Sequence, residues 1–471
     1  MIEGLKPYAE YKESGHRWLG QLPAMWELRR AKFLFREVDE RSKTGKEELL
    51  SVSHKTGVTP RSQKNITMFM AKSNVGHKIC RPQDLVINTL WAWMAAMGVS
   101  KHTGIVSPAY GVYRPINTEA FLPSFADQLL RTPLYSDEYQ RRSTGVNSSR
   151  LRLYPEEFFR IPVLVPPPDE QAAIVRFLDH ANRKIDGFIR AKRKLIRLLN
   201  EQKQAIIHRA VTRGLQPDVP LKPSGIPWLG DIPAHWEVKR LRHVCEMRVS
   251  NVDKHTKLGE TPVRLCNYVE VYKNERISES TRFMAATANQ DERVRFGIRK
   301  GDVLITKDSE AWNDIGVPAL VEYEAPDLVC GYHLAILRPR PGLLGSFLHR
   351  ALDSRFIAAQ FHVEANGVTR YGLSQGAILG VSIPIPPHIE QQNIVNYLDE
   401  QLAGRNTAIA RTEREIALMQ EYRTRLTADI VTGKLDVRKV AAKLPDLPNE
   451  TTAEPITYEA PDDTESEEIE I

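Results

Sequence analysis

The 471 residues are enough for two to four domains at about 100–200 residues each, and 42% of the side chains are apolar. Four cysteines, none spaced as CxxC, exclude a disulfide framework and argue against structural zinc, and no apolar run is long enough to cross a membrane. The net charge of +6 averages unlike parts: residues 441–471 hold ten acids and one base, or −9, which leaves +15 on residues 1–440. A body this basic favours a polyanionic partner, although charge alone identifies none.

In chain order, the opening stretch MIEGLKPYAEYKESG is charged and lacks an apolar core. It is not expected to be a signal peptide, and a cytoplasmic protein is expected. Residues 14–30, SGHRWLGQLPAMWELRR, place two tryptophans eight apart around a Gly and a Pro. Short apolar runs at Asp84–Ile87 and 161–165 read as buried strands, and 121–130 reads as a short helix. After Pro166-Pro167-Pro168 the pattern changes. Asp169 and Glu170 open a helix running to about Thr212 without a proline, with an apolar stripe that includes Ile174, Leu178, Ile189, Ile196, Leu199 and Ile206.

The chain then repeats itself. SGIPWLGDIPAHWEVKR at 224–240 matches 14–30 at an offset of 210, pairing Trp18 with Trp228 and Trp26 with Trp236. Asp302–Ile305 echoes Asp84–Ile87, Arg338-Pro339 echoes Arg114-Pro115, 344–356 reads as a helix, and 381–385 reads as a strand. PPHIEQQNIVNYLD at 386–399 matches PPPDEQAAIVRFLD at 166–179, with Glu170/Glu390 and Gln171/Gln391 paired. A second long helix is expected over 389–432, its stripe including Ile394, Leu398, Ile409, Ile416, Met419 and Leu426. The frame is duplicated and the middle has diverged. The expected domains are 1–168, a helix over 169–213, 214–388, a helix over 389–440, and an acidic disordered tail over 441–471. The expected fold class is mixed α/β (α+β). Two long amphipathic helices in one chain most simply pair with each other, antiparallel if the copies are related by a pseudo-two-fold axis; the alternative is that each binds another chain. The four repeated tryptophans read as packing residues, because elements that read different targets should differ.

Motifs for chemistry are missing. There is no P-loop, no GxGxxG after a strand, no HExxH and no EF-hand, and the Pro-Pro pairs lack the flanking residues of a DNA amino-methyltransferase. Asp302 to Lys307 could mimic part of a nuclease site, but no second acid stands at nuclease spacing. The thirteen histidines form no metal-ligand pair at helical spacing. Cys80 and Cys330 read as packed core. Neither a catalytic residue nor a metal site is expected.

With Trp-Leu-Gly…Pro…Trp-Glu at 18–27 and 228–237, Pro-Pro-x-x-Glu-Gln before a long helix at 167 and less strictly at 386, and Val-Thr-Arg-Gly-Leu and Val-Thr-Gly-Lys-Leu at 211 and 431, the chain resembles the specificity subunits of type I restriction–modification enzymes. Lys307-Asp308-Ser309-Glu310 and 314–319 add to the likeness, which covers about residues 7–438. The resemblance implies two target-recognition domains separated by two antiparallel helices, each domain reading half of a bipartite site in double-stranded DNA and the helices setting the gap. It implies two modification subunits that bind S-adenosylmethionine and methylate adenine, and two restriction subunits that can join and use ATP and Mg. No cofactor is expected in this chain and no membrane partner. Two rivals stay open: a nuclease or methyltransferase with an unrecognised site, and a coiled-coil assembly protein with no DNA role.

Base readout in the major groove calls for Arg or Lys to guanine and Asn or Gln to adenine. Asn147-Ser148-Ser149-Arg150 and Asn366, Thr369, Arg370 and Tyr371 are the first candidates, as polar segments without apolar periodicity in which Arg150 and Arg370 match at an offset of 220. Lys101, His102 and Lys307 are second candidates, for phosphates. The run Arg190, Lys192, Arg193, Lys194, Arg197 reads first as a solvated helix face.

Overall fold

The computed structural model describes residues 5–63, 73–145, 151–226, 228–368 and 370–445. It divides into two compact units, residues 1–191 with 415–471 and residues 192–414.

The first unit is built on a four-stranded antiparallel sheet in the order Phe35–Glu37, Gly111–Pro115, Leu85–Ile87, Met97–Val99. The second unit repeats that order with Cys245–Val249, Leu334–Pro339, Val303–Thr306 and Pro318–Val321, and adds Arg276–Ile277 in parallel at the edge. The duplication therefore runs through the globular parts where sequence likeness fails. In both sheets the central strand is buried at every position, so any apolar residue of fitting volume can stand there. The units differ in what is added. The second carries a further three-stranded sheet (Thr261–Cys266, Met284–Ala288, Leu328–Cys330) with its own core, and the first carries a small hairpin of Leu50–Ser53 and Gly57–Pro60. The four cysteines are buried, and burial pushes the Cys80 thiol up to about 11 and the Cys245 thiol up to about 12.

The long helices span Pro168–Arg213 and His388–Val431, roughly 69 and 66 Å at 1.5 Å per residue. Each unit takes the first part of one and the last part of the other, so within a unit they run in opposite senses. The first unit buries Ile174, Phe177, Leu178 and Ala181 together with Leu426, Ile430 and Val431, and Arg423 pairs with Asp186. The second buries Ile207, Ala210 and Val211 with Ile394, Val395, Leu398 and Leu402. Ile189 is buried, whereas Ile196, Leu199, Ile206, Ile409, Ile416 and Met419 are half-buried. A stripe extrapolated in heptads drifts about 20° per seven residues on a straight helix. Ile207, one residue further on, is the one fully buried in the core, with Ile206 packed against its margin.

The repeated motifs touch. Trp26 and Trp236 are fully buried, and their indole N–H groups donate to Glu170 Oε1 and Glu390 Oε2 at 2.9 Å each. Gln171 accepts from the Leu122 amide and donates to the carbonyls of Ala120 and Pro166; Gln391 makes the same three bonds with Leu344, Gly342 and Pro386. Beside each tryptophan a helix ends. Gly433, with φ of 80°, closes on Trp26, and Gly214, with φ of 71°, closes on Trp236. The Glu-Gln pair thus fastens the start of a long helix to a globular part, and the glycine lets a helix end turn against the same indole. Beyond Gly433 the chain returns to the N-terminal segment, where Lys6 bridges Asp436 and Arg438 lies over the Tyr8 ring.

Two expectations need correction. Trp228 is not a packing residue: it is 52% exposed, whereas Trp18 packs edge-on against Tyr135 with Arg141 over its ring. The aligned positions in the second unit are Ile357 and Val363, which offer no such platform. The helix expected over 344–356 breaks at Ser354 into Gly345–Asp353 and Arg355–Glu364. The backbone groups freed by the break are met by Gln204, which donates to the Asp353 carbonyl and accepts from the Arg355 amide.

Candidate nucleic-acid interface

Each central strand has a closed end and an open end. At the closed end Asp84 is almost fully buried and holds Arg114 through two 2.8 Å bonds, and Asp302 holds Arg338 in the same way at 2.8 and 2.7 Å. At the open end a short hairpin closes on the turn that follows the strand. In the second unit Asn366 bridges Gly372, and the Leu373 amide donates to the Lys307 carbonyl at 2.8 Å. In the first Thr144 bridges Arg152, and the Leu153 amide donates to the Thr89 carbonyl at 3.0 Å. The described ends of the two segments, Thr144 with Arg152 and Asn366 with Gly372, therefore occupy equivalent places.

In the second unit this geometry brings Lys307, Arg370 and Tyr371 together around Asp308, which the sequence marks only through the family likeness, and His333, which pattern reasoning passed over. Asp308 Oδ2 accepts from Lys307 Nζ at 2.6 Å and lies 2.5 Å from His333 Nδ1. Burial pushes the Asp308 carboxyl up, but the bonds from Lys307 and His333 outweigh it and hold it below the usual carboxylate range. Arg370 Nη2 stands 3.3 Å from His333 Nε2, and the Tyr332 ring lies against the imidazole at 3.7 Å between centroids. His333 adopts φ of 69°, an unusual conformation for a residue with a side chain and one that concentrates at functional sites. Arg370 and Asn366 are exposed, Tyr371 is half-buried, and the Lys307 ammonium is already engaged by Asp308. The arrangement offers an exposed guanidinium fork steadied through imidazole and carboxylate, suited to guanine O6 and N7 or to a phosphate.

The same rim of the first unit has different chemistry. Asn88 Nδ2 donates to Tyr110 Oη at 3.0 Å, Thr89 Oγ1 donates to the Ala109 carbonyl at 2.8 Å, and the rings of Trp91 and Trp93 stack with centroids 6.4 Å apart. Ser136 fastens this turn through the Trp93 carbonyl. Asn147, Ser148, Ser149 and Arg150 lie outside the described residues, as does Thr369. Lys101 and His102 sit elsewhere. They follow Ser100, whose amide donates to the Asp84 carbonyl, so they belong to the closed end of the sheet. The residues missed here had one signal in the sequence: His333 stands five before the repeated Arg338-Pro339, and Trp91 follows the repeated strand. The nuclease mimic does not assemble, since Arg338 occupies both Asp302 oxygens and Lys307 lies at the opposite end of the strand. Among the described residues no cluster of three or more His, Cys, Asp or Glu is arranged to hold a metal.

Comparison with known proteins agrees with this organisation. Residues 233–417 match the Type I restriction modification DNA specificity domain, and the duplicated sheet and frame supply a second copy of the same architecture. Residues 233–417 are thus of the DNA-specificity class. A solved structure described as the structural basis of complex assembly and conformational transition of the type I R-M system shares the fold, with a TM-score of 0.58 at 17% identity over 87% of this chain and 98% of that one. Among curated proteins, the chain is 21% identical to the Type I restriction enzyme MjaVIII specificity subunit of Methanocaldococcus jannaschii over 64% of this chain and 67% of that protein. It is also 21% identical to the Type I restriction enzyme EcoKI specificity subunit of Escherichia coli K12, over 78% of this chain and 77% of that protein. The chain is thus similar in sequence to specificity subunits of type I restriction–modification enzymes and carries their DNA specificity domain at residues 233–417.

Proposed function

We propose that this chain recognises a bipartite site in double-stranded DNA, one half through each unit, and holds two modification subunits on it; two restriction subunits can join the same assembly. The observation that carries the reading is the contrast between the repeated Trp–Glu, Gln–backbone and Asp–Arg bonds of the frame and the unlike side chains described at the two open ends. Sequence readers must differ if two half-sites differ, whereas the parts that hold two copies of one partner should be alike. The chain itself is a recognition subunit without catalytic residues. S-adenosylmethionine for adenine methylation, and ATP with Mg for cleavage, belong to the partners. Among the described residues no helix is long and apolar enough to cross a membrane, in keeping with a cytoplasmic assembly on DNA.

The test is co-expression with a modification subunit, followed by mapping of N6-methyladenine on host DNA. The expected result is one two-part motif with a fixed gap, lost when this chain is omitted. Methylation that persists without the chain, or none with it, overturns the proposal.

A further inference from the structure

The first long helix carries Arg176, Arg183 and Arg190 at steps of seven, with Lys184 beside the second. Seven residues make about two turns, so the three arginines lie along one face. Arg183, Lys184 and Arg190 are exposed, and no ion pair or hydrogen bond engages them among the described residues. Arg176 has a partner, and it is informative: its Nη2 donates to the Leu444 carbonyl at 2.5 Å. The described chain stops one residue later, at Pro445. Residues 446–471 then hold ten carboxylates and no Lys or Arg.

The duplication gives the control. At the offset of 220 the second long helix has Asn396, Ala403, Gly404 and Ala410 where the first has Arg176, Arg183, Lys184 and Arg190. A face that served two identical partners would recur in both copies. This one occurs once, on the helix whose Arg176 meets the chain just before the acidic segment, and the acidic segment also occurs once.

We propose that residues 446–471 dock along the Arg183, Lys184 and Arg190 face of the first long helix and shield it from other polyanions. Reach is ample: 26 residues extend up to about 90 Å, and the face from Arg176 to Arg190 occupies roughly 21 Å. Exposed ion pairs are individually weak and screened by salt. Tethering at Leu444 holds the carboxylates at about millimolar effective concentration, so several weak pairs act together. Docking is independent of the DNA-reading proposal, because it needs only the two segments of this chain.

The test uses the full chain in two arms. Zero-length carbodiimide cross-linking at low salt should join Lys184 to carboxylates within 446–471, and the product should disappear in about 1 M salt. Binding of a short duplex of arbitrary sequence should tighten about tenfold when the chain is truncated after Pro445. The same truncation in an R183Q/K184Q/R190Q background should change binding less than about twofold. Absence of the Lys184 cross-link overturns the proposal. So does a truncation that tightens binding equally in both backgrounds, which means long-range charge without docking, or a truncation that changes neither. The cross-link is read without DNA, so its failure is distinguishable from a failure of DNA reading.

Discussion

At the closed ends of their sheets the two units are close to interchangeable. Asp84 with Arg114 and Asp302 with Arg338 make the same paired bonds, Gln171 and Gln391 meet the same backbone groups, and both buried indoles end on a glutamate. At the open ends they share a backbone plan and little else: stacked tryptophans and an amide–phenol bond in one, an ion network of Lys307, Asp308, His333 and Arg370 in the other. The difference teaches where a duplicated protein can afford to diverge. Side chains whose partners are backbone groups or other frame residues stay fixed, and the mostly half-buried side chains on the turns at the open ends differ between the copies.

The strongest way to break this comparison is through the tryptophans. Trp26→Ala and Trp236→Ala should each destabilise their unit by about 3–5 kcal/mol, read as a shift in a chemical denaturation curve, because each leaves a large cavity and an abandoned glutamate. A cost below about 1 kcal/mol in one unit alone would show that the frame is shared in shape but not in energy. Next come the buried acids. Asp84→Asn and Asp302→Asn should each cost roughly 2–4 kcal/mol by the same measurement. That is somewhat less than for a fully buried pair, because Arg114 and Arg338 keep 24% and 15% of their side chains exposed.

A smaller effect separates the units by pH. The Gln171 and Gln391 bonds align the helix Pro123–Leu130 and its following residue with Gly345–Asp353, so Asp127 and Arg131, an ion pair at 3.5 Å, stand where the second unit has His349 and Asp353. Burial pushes His349 down to about 3 and Asp353 up to about 6. The neutral His349 contributes stability that is present above its ordinary 6.5 and is lost as pH falls toward 3. The protonated Asp353 contributes in the other sense: its share is present below 3.8 and is lost as pH rises through 6. Between pH 4 and 6 the two oppose each other. Asp353→Asn removes the compensating group, so on acidification from pH 7 to 4.5 the variant should lose roughly 2 kcal/mol more stability than the parent. Equal losses in parent and variant would refute the assignment.

How much of this was legible in the sequence follows from what each residue touches. Trp26, Glu170 and Gln171 were readable as a frame because their partners are unique: an indole needs a carboxylate at one place, and the copy needs the same. The sheet order was not readable, since strands buried on both faces accept any apolar residue and leave no pairing signal. Trp228 was misread for the same reason that Trp18 was read correctly: the repeat records the tryptophan but not the Tyr135 that receives it. His333 escaped notice because its role depends on a left-handed turn and on Asp308, 25 residues away, neither of which leaves a periodic trace.

At the rims, Arg370→Ala should weaken specific binding by about 1–2 kcal/mol and relax base preference at one position of one half-site. The other half-site should be unchanged, as competition binding with singly substituted duplexes would show. Loss of preference in both halves would mean that the hairpin supports the whole complex and reads no base.

The smallest expected effect is at Lys101, and its smallness is the point. Lys101 and His102 lie beyond the Asp84 end of the sheet, a strand's length or roughly 10 Å from the hairpin end. If the hairpin ends face the duplex, Lys101→Ala should change affinity less than about twofold and leave the slope of log affinity against log salt untouched. If instead that slope falls by about one, Lys101 neutralises a phosphate, and the DNA lies across the closed ends. The identical Asp–Arg pairs would then sit nearest the bases, where two different half-sites cannot be told apart by identical groups. That consequence is hard to reconcile with a subunit whose two halves diverge at the opposite end, which is why a null result at Lys101 supports the hairpin assignment as directly as a loss at Arg370.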